Sequence, residues 1–148
     1  MDFTQEKFEI IVAFEFYDGP EDGAALLKGG GALRFTALAE SKYRIFRAYL
    51  VEEIEGDWIN SFRSLGIETE AYKPCQAIFL PDSPEADAFK ESIIRANSSK
   101  LYVAVGSSYF WNLKFIETDR STISYLMNIN DNDKIFREAH NIVKTRLR

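Results

Sequence analysis

The sequence predicts an α+β fold: a curved, mainly antiparallel sheet of about six to eight strands with two to three helices packed on one face. Three observations carry this expectation. The N-terminal third consists of segments whose apolar residues recur at every second position, divided by short clusters of Gly, Asp, Pro and Ser. Farther along, the spacing changes to three and four. The elements also lack the regular strand and helix alternation of a doubly wound parallel sheet.

The first strand runs from Phe8 to Tyr17, where Phe8, Ile10, Val12, Phe14 and Phe16 alternate with Glu9, Ile11, Ala13, Glu15 and Tyr17. That pattern predicts one buried face. Asp18 to Gly23 is dense in turn formers, and Ala24 to Lys28 reads as a short second strand. Gly29-Gly30-Gly31 supplies the positive φ angles of a tight hairpin into a third strand, Ala32 to Glu40. A fourth strand, Tyr43 to Glu53, is apolar on both faces and is therefore expected inside the sheet or covered on both sides.

Trp58, Ile59, Phe62 and Leu65 then mark a short helix that stops at Gly66. Gln76 to Leu80 is an apolar strand halted by Pro81. Ser83-Pro84-Glu85 combines a cap residue, a first-turn proline and an early acid, opening a helix with Ala86, Phe89 and Ile93 on its buried stripe. Leu101 to Val105 and Tyr109 to Glu117 form a second hairpin. Ser121 to Ile129 fits strand or helix, and a last helix aligns Phe136, Ala139, Val143 and Leu147.

A chain of 148 residues buries roughly 70% of its unfolded surface, so residues 1–148 are expected to form one domain around one core. Its 12 Phe, 7 Tyr and 2 Trp favour strands. The net charge of −5 repels phosphate backbones and anionic headgroups, which argues against nucleic acid and membrane as partners. Cys75 is the single cysteine, ruling out an internal disulfide and a Cys-pair zinc site. Acids at the N-terminus, apolar runs well short of about 20 residues and no C-terminal lipidation cysteine lead to a cytoplasmic expectation.

Several motifs invite chemistry and fall short of it. Asp18, Asp22 and Gly23 match three positions of an EF-hand loop, but Pro20 and Gly29 occupy positions that need ligating oxygens. A plain turn is expected, and no metal or cofactor. The triple glycine lacks a following Gly-Lys-Ser/Thr, though beside Lys28 and Arg34 its amides suit an anion. His140 is the only histidine, lying between the apolar stripe and the polar face of the last helix and expected as a surface or boundary residue, and Cys75 is expected as a small buried hydrophobe. Lys134, Arg137, Lys144, Arg146 and Arg148 make that helix basic, most simply as a solvated face.

The most suggestive polar set is Glu9, Glu15, Arg34, Arg44 and Arg47 on adjacent strands. One account is cross-strand ion pairs on an exposed sheet face, each contributing about 0.2–1 kcal/mol. The other is a sheet face binding a small polar ligand or an extended partner segment, with Glu15, Tyr17, Asp18, Arg34, Tyr43, Arg44 and Arg47 as candidate ligand-binding residues and Tyr49 framing them. The function expected first is a non-catalytic binding or protein-interaction module of the regulatory or inhibitor kind. The alternative is a small enzyme or small-molecule binder using acids such as Glu15, Asp18 and Glu40 with Arg44 or Arg47. The sequence leaves catalysis, partner and oligomeric state open.

Overall fold

The computed structural model describes residues 8–16, 19–41, 45–69, 77–108 and 111–146. Along the chain they form β1 (Phe8–Phe16), β2 (Pro20–Leu27), β3 (Ala32–Glu40), β4 (Phe46–Ile54), α1 (Trp58–Arg63), β5 (Ile78–Phe79), α2 (Pro84–Arg95), β6 (Ser98–Ser107), β7 (Trp111–Thr118), α3 (Arg120–Met127) and α4 (Asn132–Arg146). The strands make one seven-stranded sheet in the order β5-β1-β2-β3-β4-β6-β7. Every described pairing is antiparallel except that of β5, which runs parallel to β1 through Val12↔Ile78 and Ala13↔Phe79. The fold is thus α+β, with a mixed but mostly antiparallel sheet.

The glycine turn forms as expected. Gly30 and Gly31 take φ of +99° and +78°, and the Leu27 N–H donates to Gly31 O at 3.2 Å. The turn expected over Asp18 to Gly23 is shorter than its composition suggests, because β2 already begins at Pro20. Proline needs no ladder donor as a first strand residue. Gly23 sits within β2 because β1 presses against it: a Cβ there would lie 2.0 Å from Val12 O, beside a register shift between Ala13 and Glu15. Tyr17, Asp18, Tyr43, Arg44 and Cys75 lie outside the described residues.

The ambiguous segment after β7 is helical. Asp119 caps α3 by accepting from the Thr122 N–H at 2.8 Å. That bond, with the Ser121 hydroxyl, holds its carboxyl below the usual range. Ser83 caps α2 in the same way, accepting from Ala86 N–H at 3.1 Å.

All four described helices lie on one face. In β4, Ala48, Leu50 and Ile54 join the clusters under the helices, whereas Tyr49 and Val51 belong to a cluster on the other face. Under α1 and α2, Ile10, Val12, Ala24 and Leu26 meet Phe62, Phe89 and Ile93. Under α3 and α4, Ala48 and Val103 meet Ile123, Leu126, Ala139 and Val143. The opposite face is equally dry: Leu33, Phe35, Tyr49, Val51 and Ala104 are fully buried, and Ala77, leading into β5, packs on that cluster. Aromatic edges fill it, with Phe35 against Tyr49 at 5.8 Å and Tyr102 against Phe115 at 6.3 Å. Consequently β1 is buried on both faces from Ile10 to Ala13, which corrects the single buried face expected from its alternation. Among the described residues, no helix is long and apolar enough to cross a membrane.

Candidate functional site

The path of α4 decides where the molecule is open. At its start, the Glu40 N–H at the end of β3 donates to Asn132 Oδ1 at 3.0 Å, and Asn132 Nδ2 donates back to Glu40 O at 2.8 Å. At its last residue, the Arg146 guanidinium donates to Glu117 O of β7 at 3.0 Å. Tied to β3 at one end and β7 at the other, α4 crosses the sheet diagonally. Beside it lies the corner where β4 begins, β6 ends and β7 begins.

That corner floors an open cavity of about 600 Å³, lined by Phe46, Val105, Gly106, Asn112 and Lys114 from the sheet and by Phe136, His140, Val143 and Lys144 from α4. The helical four recur at spacings of four, three and one, so they share one side of α4. Across the sheet, Val105 is paired with Ala48 on β4 and with Lys114 on β7, which brings hydrocarbon and ammonium to adjacent positions. Val143 is buried and Phe136 half-buried, while Lys114, His140 and Lys144 are exposed at the mouth. Phe46 leaves 49% of its surface to solvent, unusual for a large aromatic at the start of an interior strand. The His140 and Phe136 rings meet in a T-shaped arrangement with centroids 6.0 Å apart.

The backbone of this corner is irregular. The β6–β7 register shifts between Val105 and Ser107, and a Cβ on Gly106 would lie 2.7 to 2.9 Å from Leu113 and Asn112. Opposite it, Asn112 holds φ at +52°, the left-handed conformation that asparagine tolerates better than most residues. Bulges of this kind turn side chains away from the regular pleat.

The sequence-predicted residues lie elsewhere. Arg34 faces the helices: it forms a bidentate pair with Glu52, its Nη2 donating to Oε2 at 2.8 Å, and its Nη1 donates to Ile93 O, Ile94 O and Ala96 O at 2.7 to 2.9 Å. It therefore closes the C-terminus of α2, where carbonyls need donors and positive charge is favoured. Arg47 faces the other way and is fully buried. Its guanidinium donates to Glu40 Oε1 at 3.0 and 3.2 Å, to Gly19 O at 3.0 Å and to Ser108 O at 3.2 Å. Burial opposes that charge, but Tyr49 and Glu40 outweigh it and hold the Arg47 pKa above its ordinary value. Tyr49 stands beside it, its hydroxyl 3.0 Å from Pro20 O and 3.1 Å from Ser108 O. Burial pushes the phenol up to about 12, with Arg47 opposing.

Arg34 and Arg47 thus occupy opposite faces, and the structure does not bring them together. Glu15 is exposed on β1 opposite Asp22. Burial raises the Asp22 carboxyl above its ordinary pKa; the Thr36 hydroxyl bond opposes this, Glu15 adds to it, and Lys90 and Arg34 offset it further. Glu9 pairs with Arg63 of α1 at 3.2 Å. Arg34 and Arg47 do make cross-strand pairs, but with Glu52 and Glu40 in place of the expected Glu9 and Glu15, on two faces and in partly to fully buried surroundings. Among the described residues, no cluster of three or more His, Cys, Asp or Glu is arranged for a metal ion.

Of the cavity residues, sequence reasoning singled out His140 and Lys144 for their charge chemistry, and Phe136 and Val143 as helix core. It passed over Phe46, Val105, Gly106, Asn112 and Lys114, which look like ordinary strand and turn positions. In comparisons with protein-family models, curated proteins and solved structures, no match to this chain emerges.

Proposed function

We propose that this protein is a non-catalytic binding module that holds a small, largely apolar ligand in the cavity beside α4. The observation that carries this reading is the cavity itself: about 600 Å³ of open space over Val105, Val143, Phe136 and half-exposed Phe46. That volume falls within the roughly 300–1,000 Å³ of small-molecule sites, which combine an apolar lining with a few polar groups. The lining offers hydrocarbon, ammonium, imidazole and amide, a set suited to recognition.

Nile red, an uncharged dye that brightens in apolar surroundings, tests the reading. Saturable fluorescence from one site is expected, together with its loss in Val105→Trp, whose indole fills the cavity while the circular dichroism spectrum is kept. Dye binding that Val105→Trp leaves unchanged would place the site elsewhere.

A protein-contact reading has one observation in its favour. Phe16 and Phe79, at the β1–β5 edge, are 44% and 58% exposed and stack edge to face at 5.1 Å, an apolar pair on the surface.

A further inference from the structure

We infer that the ligand of this cavity joins a hydrocarbon body to a single anionic head group, held by Lys114 and Lys144. This rests on the binding-module reading and adds the ligand's chemical class. The floor of Val105, Val143 and Phe136 accepts only apolar matter without loss of hydrogen bonds. At the mouth stand two ammonium groups from different elements, Lys114 on β7 and Lys144 on α4. No carboxylate among the described residues forms an ion pair with either.

Each lysine has a local rationale: Lys114 lies on an edge strand, where lysine discourages pairing with other chains, and Lys144 in the last turn of α4, where the helix dipole favours a cation. Neither rationale requires that both of them line one apolar opening. The protein as a whole carries a charge of −5, so its long-range field repels anions. A mouth lined by two lysines is a local exception to that field. The Asn112 amide, also at the mouth, adds a donor. A purely apolar ligand would leave both ammonium groups beside hydrocarbon, and a cationic one would meet them with the same sign.

Isothermal titration of the intact protein with decanoate, decanol and decylamine decides the class. Decanoate is expected to bind one equivalent, with decanol weaker by about tenfold, the equivalent of one charge-assisted hydrogen bond. Decylamine is expected not to bind. The double variant Lys114→Ala/Lys144→Ala is expected to lower decanoate affinity to that of decanol and to leave decanol unchanged. Decanol binding as tightly as decanoate, with the double variant indifferent, would overturn the anionic head group while Nile red still reported an occupied cavity. Failure of all three ligands and of Nile red would remove the cavity reading as well. A concentration-dependent dimer abolished by Phe46→Ser, with no decanoate binding, would make the groove an interface between copies and overturn the proposal.

Discussion

Arg47 is a buried cation whose partners come from three parts of the chain: Gly19 and Pro20, Glu40, and Ser108. Removing it takes a charged donor away from the Gly19 and Ser108 carbonyls and from the Glu40 carboxylate. Arg47→Ala is therefore expected to cost about 3–5 kcal/mol, read as a lower midpoint in urea unfolding. Arg47→Lys should recover little, since one ammonium cannot span the carboxylate and both carbonyls. Asp22 makes a pH-dependent prediction. Its folded-state pKa is raised, chiefly by burial, so the folded chain holds that proton more tightly than the unfolded chain does. Stability from this group is greatest below the ordinary carboxylate range and falls as pH rises through the raised value. Asp22→Asn, still able to accept from Thr36, is expected to melt higher than the parent at neutral pH and equally in acid. The sequence showed that Arg34 and Arg47 would sit on neighbouring strands. It could not show their acceptors, because backbone carbonyls carry no residue signature and those of Ile93, Ala96 and Ser108 are far away in sequence.

Elements with local chemical signals were legible, and those shaped by neighbours were not. Ser83-Pro84 announced α2 because a cap and a first-turn proline act within one turn of chain. The extent of β2 was obscured because Gly23, read as a turn former, answers to the close passage of β1. The same blind spot hid the cavity. Gly106 looked like one more hairpin glycine, yet a Cβ there would lie 2.7 Å from Leu113 of β7. Gly106→Ala is expected to destabilise by about 1–3 kcal/mol through forced shifts of Asn112 and Leu113. It should also weaken Nile red binding at temperatures where the fold persists, because the cavity floor rests on that bulge. Chemical denaturation and dye titration on one preparation check both parts.

At the scale of the molecule, periodicity and composition sufficed for the α+β class and for helices gathered on one side. They did not reveal that the sheet is buried on both faces, since the alternation of β1 announces one apolar stripe and does not say that Ile11 and Ala13 are covered as well. Nor could they place α4, whose diagonal depends on Asn132 meeting Glu40 and on Arg146 meeting Glu117. The parallel seam between β1 and β5 has its own consequence. Beneath it lies Ile10-Ile11-Val12-Ala13-Phe14, an uncharged β-prone run of the kind that templates cross-β growth when its edge is bare. β5 contributes only Ile78 and Phe79, but they lie alongside Val12 and Ala13 at the middle of that run. So small a shield makes β5 the guard against fibril-like stacking of one chain on the next.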